Sequence, residues 1–322
     1  MYTNKDVEYR SIFVINCIEN RSLRVSSGEL LLENADLKKT LTKMPFQKIL
    51  AILIIGNITI TTPLIDKCKQ YNVAIIVVKP NLRPVFWWSD SAEANFLLRK
   101  RQHEYPSDDL TIARHIVSNK IQNQFQLLRN TRITGSEIEA AKKACNDALS
   151  MLSGATDLNK LMGLEGFVSK HFFSFYFKDL DWQQRRPRVK CDVINTTLDI
   201  GYTLLFNYIE TFTRMFGFDV YIGVYHRLWF KRKSLICDLM EPFRCIVDAR
   251  VRKAFNTGEC KKDDFEYIKG EYFLKREKNA DYYKMFSDDF IKRKTDVFMF
   301  VREYYRCFMQ QKKIELYPLF KV

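Results

Sequence analysis
Ser234–Asp248 reads SLICDLMEPFRCIVD. The stretch has helical texture, and its carboxylates Asp238 and Glu241 stand three apart, so on a helix both project from nearly one face. Ser234 is placed to cap that helix. Pro242 removes a backbone donor inside it and predicts a kink or a late start. Upstream, GVYHR (Gly223–Arg227) delivers a lone histidine, His226, twelve residues before Asp238. Glycine there permits a close backbone turn, and neutral imidazole is a good ligand for borderline metals. Further upstream, Glu165 lies in the apolar helical run LMGLEGFVSKHFF. A carboxylate in such a run is costly to bury unless it is paired or bound to metal.

Each of these residues also has an ordinary reading. Glu165 can be exposed or salt-bridged, and His226 can be a hydrogen-bonded core residue. Asp238 and Glu241 can belong to a solvated charged helix that continues through Arg244, Arg250, Arg252 and Lys253. His103, His115 and His171 show no comparable setting. His171 follows Glu165 by six residues and falls on a different face of that helix, so it reads as structural.

The surroundings are basic. Lys and Arg total 52 against 38 Asp and Glu, a formal excess of 14. Such a field attracts polyanions, and nucleic acid is the foremost candidate. Arg185, Arg186, Arg188 and Lys190 precede the histidine, and Arg227, Lys231, Arg232 and Lys233 follow it. Trp182, Tyr225, Trp229 and Phe230 are interleaved with them. That mixture suits single-stranded or frayed DNA ends. Arg186, Arg227, Lys231, Arg232, Lys233 and Arg244 are the candidate DNA contacts.

Other classes are disfavoured. Eight cysteines carry no CxxC pair, which argues against a zinc ribbon or a thioredoxin-type site and for free thiols in a reducing compartment. The longest apolar stretch, Ile49–Ile55, is strand-sized, so no membrane span is expected. The start, MYTNKDVEYR, lacks a secretory apolar core, and a cytoplasmic protein is the expectation.

The texture of the chain changes near residue 90. Before it, Ser11–Ile15, Leu23–Val25, Glu29–Glu33, the β-branched run Lys48–Ile60 broken at Gly56, Val73–Val78 and an edge segment Pro84–Trp87 read as strands. Ser26-Ser27-Gly28 reads as a hairpin turn. Thr61-Thr62-Pro63 reads as a helix start. Beyond residue 90 the pattern is helical over Thr111–Arg129, Ser136–Leu152, Asp157–Phe177, Val193–Met215, Ser234–Phe255, Asp263–Lys278 and Asp288–Met309. The fold class is therefore α+β with two domains. Residues 1–90 form a small β-rich domain and residues 91–322 a larger all-α domain, to which the resemblance described next would give the catalytic role.

The combination GVYH, SLICDLMEPFR and then Val247-Asp248 resembles the core motif of the CRISPR-associated spacer-acquisition integrases. Asn195, Leu198 and Gly201-Tyr202 resemble the family's helix between its first glutamate and its histidine. The hairpin, Pro45, Gly56 and the Val73–Val78 strand resemble its β domain, so the likeness covers nearly the whole chain. Cys245 replaces the proline usual after the Phe-Arg pair, whereas Pro242 agrees with family usage.

The resemblance implies that Glu165, His226 and Asp238 bind one divalent ion, Mg²⁺ or Mn²⁺, with Glu241 assisting. It implies transesterification: the 3′-hydroxyl of a DNA fragment attacks a phosphodiester at a CRISPR repeat. It also implies double-stranded DNA with 3′ ends and repeat DNA as ligands, homodimerisation through the β domain, a small ferredoxin-like dimeric partner, and a prokaryotic cytoplasmic setting. Two readings stay open beside it. A metal-dependent nuclease or branched-DNA repair enzyme would use the same triad with water as nucleophile. A noncatalytic DNA-binding scaffold would not respond to metal.

Overall fold
The computed structural model describes residues 3–17, 21–34, 36–37, 39–79, 84–89, 92, 94–131, 134–180, 182 and 184–322. β-Sheets come first and a larger helical region follows, the α+β order expected from the pattern. The chain divides into two compact units. One comprises Met1–His103, Glu210–Asp219 and Arg293–Tyr305; the other comprises Glu104–Ile209, Val220–Lys292 and Arg306–Val322.

In the first unit a short helix α1 (Asn4–Tyr9) precedes β1 (Ser11–Cys17). Strands β2 (Arg21–Ser26), β3 (Glu29–Asn34) and β4 (Lys39–Pro45) follow, then β5 (Ile49–Gly56), α2 (Thr62–Gln70), β6 (Ala74–Val78), β7 (Pro84–Trp88) and α3 (Phe96–Glu104). The strands form two sheets. One is an antiparallel meander, β2-β3-β4; the other has the order β1-β5-β6-β7, with β1, β5 and β6 parallel and β7 antiparallel at the edge. Ser27 and Gly28 both have positive φ, 51° and 77°, as a two-residue primed hairpin turn requires.

Ile49–Ile52, Ile54 and Ile55 are all buried, on both faces of β5, which is why the run reads as continuous rather than alternating. The core joins this strand to Phe46, Leu64 and Cys68 and to Leu23, Leu30 and Leu32 of the meander. Pro63 occupies the first turn of α2 as expected. Thr61 holds the cap position, but its hydroxyl makes no capping bond there, and its carbonyl instead accepts from Leu64 and Ile65 N–H at 3.0 and 3.2 Å.

The second unit is built on α4 (Thr111–Asn130), which packs against α5 (Ser136–Met151) and α6 (Leu158–Tyr176). After these come α7 (Val193–Met215), α8 (Ser234–Met240) and α9 (Arg244–Asn256); α8 and α9 also pack on α4. Next come β8 (Phe265–Ile268), β9 (Glu271–Leu274) and α10 (Asn279–Lys292); α11 (Lys294–Met309) follows, but its residues to Tyr305, like the end of α7 from Glu210, belong to the first unit.

The helix expected over Asp263–Lys278 is instead a 3-10 turn and an antiparallel hairpin. Lys269 and Gly270 take positive φ, 51° and 88°, and Tyr267 pairs across the strands with Tyr272 at a ring distance of 4.8 Å. A Lys-Gly turn flanked by aromatics carries a period of two that the surrounding charges obscured. Among the described residues, no helix is long and apolar enough to cross a membrane.

Candidate active site
The kink that Pro242 predicts is present. Helix α8 ends at Met240, Glu241–Phe243 make one 3-10 turn, and α9 restarts at Arg244. Asn123 on α4 donates to the Pro242 carbonyl at 3.0 Å, which fixes the turn from the opposite side. The acidic pair is thereby divided between two local structures. Asp238 lies on the last turn of α8, and Glu241 opens the 3-10 turn.

Asp238 is fully buried, and both of its carboxylate oxygens accept from the GVYH backbone. Oδ2 accepts the N–H groups of Val224 and Tyr225 at 2.6 and 3.0 Å, and Oδ1 accepts the His226 N–H at 2.8 Å. His226 Nδ1 lies 2.7 Å from the same Oδ1. Three consecutive backbone donors thus fold GVYH around one carboxylate, which also orients the ring and leaves Nε2 as its nitrogen for a ligand. A carboxylate that orients an imidazole in this way is the usual support of histidine ligands.

Gly223 is required by the same closeness. A Cβ there would lie 2.6 Å from Asp238 Oδ2 and 2.8 Å from the carbonyl carbon of Ser234. Gly223→Ala is therefore expected to push the loop off α8, at a cost of about 1–3 kcal/mol. Thermal unfolding run beside a cleavage or joining assay checks this, with both stability and activity reduced.

Ser234 is not the cap anticipated from sequence. Lys233 occupies that position and its side chain does not cap the helix, while Ser234 is the first helical residue, fully buried. Its hydroxyl donates to the Arg227 carbonyl at 3.1 Å and ties the loop to the helix.

Glu165 stands on α6 and is salt-bridged. It accepts from Lys120 Nζ, and Ser169 one turn later donates to Oε1 at 2.8 Å. Glu241 meets the same lysine at 2.6 Å and Arg244 Nε at 2.9 Å. Burial pushes the Glu241 carboxyl up, but Arg244, Lys120 and His226 outweigh it and hold it down at about 2. Burial likewise works against the Lys120 charge, yet Glu165 and Glu241 prevail and the net shift is upward. Tyr225, buried beside them, has its hydroxyl pKa raised first by burial and then by the charges of Glu165, Glu241 and Asp238. The Tyr225 hydroxyl thus feels the charge of all three carboxylates, while Lys120 joins Glu165 to Glu241 and Asp238 holds His226.

A further polar layer lies behind. Tyr202 on α7 donates to Asp248, and Arg244 sits over the Tyr202 ring at 4.7 Å with Arg185 also against it at 5.4 Å. Burial lifts the Asp248 carboxyl to about 6, with Tyr202 and the arginines opposing. Arg244 is thus committed to Glu241 and Tyr202. Lys120 is the member that sequence reasoning missed; Tyr202 and Asp248 carried part of the resemblance, but nothing in the sequence paired them. The signal for Lys120 was its place on the buried stripe of α4 with Ile116, Val117, Asn123 and Leu127, where a lone lysine requires a partner.

The donor chemistry suits a divalent ion: two carboxylates, an imidazole nitrogen and a third carboxylate nearby, with a lysine ammonium already bridging two of the acids. Among the described residues, however, no three His, Cys, Asp or Glu side chains stand together as a preformed metal cluster.

Beside the site opens a cleft of about 720 Å³ lined by Arg188, Phe206, Trp229, Phe230, Lys231, Arg232, Lys233 and Cys237, the neighbour of Asp238. Trp229 and Phe230 are 76% and 82% exposed, too much for core residues. Arg186, Arg227, Lys231 and Arg232 are exposed and Lys233 half-buried. His171 bonds its own helix at the Phe167 carbonyl, 2.9 Å away, in keeping with a structural role.

The sequence profile of the family described as CRISPR associated protein Cas1 matches residues 17–288. The chain belongs to the Cas1 family. It is 27% identical to CRISPR-associated endonuclease Cas1 1 of Thermodesulfovibrio yellowstonii, over 76% of this chain and 80% of that protein. It is 31% identical to the Cas1 1 endonuclease of Moorella thermoacetica, over 65% and 66%. The fold is shared with a Cas1 protein from Thermotoga maritima, TM-score 0.72 at 19% identity, covering 92% of this chain and 97% of that one. It is also shared with a casposase bound to an integration product, TM-score 0.72 at 20% identity, covering 94% and 92%. A chain of a partial Cas6-RT-Cas1–Cas2 complex matches with TM-score 0.76 at 19% identity, covering 97% and 99%. The family resemblance carried by GVYH and SLICDLMEPFR is thus upheld.

Proposed function
We propose that this Cas1 protein is a metal-dependent DNA integrase of CRISPR adaptation that joins 3′-hydroxyl ends to repeat DNA by transesterification. The observation that carries the reading is the carboxylate–imidazole site opening beside a cleft whose lining, among the described residues, holds four cations and no acid. Glu165, His226 and Asp238 are the residues that would hold Mg²⁺ or Mn²⁺, with Glu241 supporting them. The chemistry such an ion supplies is polarisation of a phosphodiester and neutralisation of charge on the departing oxygen. Mixed N/O ligation suits Mn²⁺ at least as well as Mg²⁺.

The chain's own part is orientation and charge. Asp238 holds the His226 ring in one pose. Lys120 and Arg244 keep Glu241 ionised within the protein. Arg188, Lys231, Arg232 and Lys233 supply phosphate contacts, and Trp229 and Phe230 offer faces on which unpaired bases stack. Homodimerisation and a small Cas2-type partner belong to the same proposal. The relatives' endonuclease names and the casposase's bound integration product support it.

A nuclease would use the same residues with water as nucleophile. Denaturing electrophoresis of labelled repeat DNA incubated with a fragment separates the two: joined strands support the integrase, and free ends alone support the nuclease. The cleft has its own test. Arg232→Ala with Lys233→Ala is expected to weaken DNA binding and lower the slope of log affinity against log salt by about 2. An unchanged slope in a titration series moves the DNA path elsewhere.

A further inference from the structure
We infer that Lys120 is a built-in counter-cation of the metal site: it holds Glu165 and Glu241 together without a divalent ion and releases Glu165 when one binds. The inference rests on the proposed role of Glu165 as a metal ligand. Lys120 is 8% exposed and its ammonium is shared between the two carboxylates. Two acids that close to one nitrogen would repel each other if nothing stood between them.

The lysine cannot easily withdraw, because α4 is anchored around it. Asn119 donates to the Phe320 carbonyl at 2.8 Å, and Asn123 donates to Pro242 and Phe320 at 3.0 and 3.1 Å. The two acids are not equivalent. Glu241 is 3% exposed and has Arg244 as a second cation, whereas the Glu165 side chain is 19% exposed. An arriving divalent ion therefore takes Glu165, the more accessible acid, while Lys120 stays on Glu241. The ammonium is a competitor for that ligand, so it lowers metal affinity while keeping the empty site organised.

The test is Mn²⁺ binding to the full-length protein, read from the electron paramagnetic resonance signal of free Mn²⁺ in wild type, Lys120→Met, Glu165→Gln, Glu241→Gln and Lys120→Met with Glu241→Gln. The double variant covers the case in which Lys120→Met alone fails to fold, since it does not strand the buried Glu241 charge. Removing the ammonium is expected to tighten Mn²⁺ binding about tenfold or more, in Lys120→Met against wild type and in the double variant against Glu241→Gln. Equal or weaker binding in these comparisons, with binding lost in Glu165→Gln, overturns the role of Lys120 alone. Unaltered binding in Glu165→Gln overturns the metal reading of Glu165 and the inference with it.

Discussion

Asp238→Ala is expected to abolish strand joining and to cost the protein about 3–5 kcal/mol of stability. Alanine would orphan the N–H groups of Val224, Tyr225 and His226 inside the protein and free the His226 ring. The GVYH loop would lose the carboxylate around which it is folded, so activity and stability fall together. Urea unfolding beside the joining assay measures both losses. A variant of wild-type stability would mean that water replaces the carboxylate and that the cradle is not what holds the loop.

Glu165→Gln is expected to behave differently. The amide keeps an oxygen for Ser169 and leaves Lys120 still paired with Glu241, so the fold should be retained. Loss of the negative charge removes the most exposed carboxylate of the site. Joining is expected to fall by on the order of 10³-fold while DNA affinity stays close to wild type. A gel-shift titration run in parallel with the joining assay separates chemistry from binding. Activity within a few-fold of wild type would remove Glu165 from the reaction.

The sequence was most legible where a local pattern and its partner lie close along the chain. The β-branched run Ile49–Ile55, the Ser27–Gly28 turn and the Pro242 kink are all decided by near neighbours, and each has its expected form. The motif around Asp238 was legible too, because GVYH and SLICDLMEPFR are separated by a short loop. Lys120 was not, since its partners Glu165 and Glu241 lie far along the chain on other elements.

Similar reasons explain what was left unread and what was misread. The parallel pairing of β1 with β5 is a long-range choice that strand propensity alone does not specify. Residues 263–278 look helical by composition, but a Lys-Gly turn and cross-strand aromatics win locally. Ser234 has the chemistry of a cap, yet complete burial redirects its hydroxyl to the Arg227 carbonyl. Asp238 shows the same principle: its spacing marked it as a candidate, while only the fold reveals that it organises the loop bearing its histidine.

The central claim is that the site joins DNA ends through a 3′-hydroxyl. Its most direct test offers the protein two fragments with Mn²⁺ and repeat-containing DNA, one ending in a 3′-hydroxyl and one in a 3′-dideoxynucleotide, and quantifies joined strands. Joined product is expected from the hydroxyl-ended fragment and none from the dideoxy-ended one. Cleavage of the repeat without joining, at equal rates for both fragments, would contradict it.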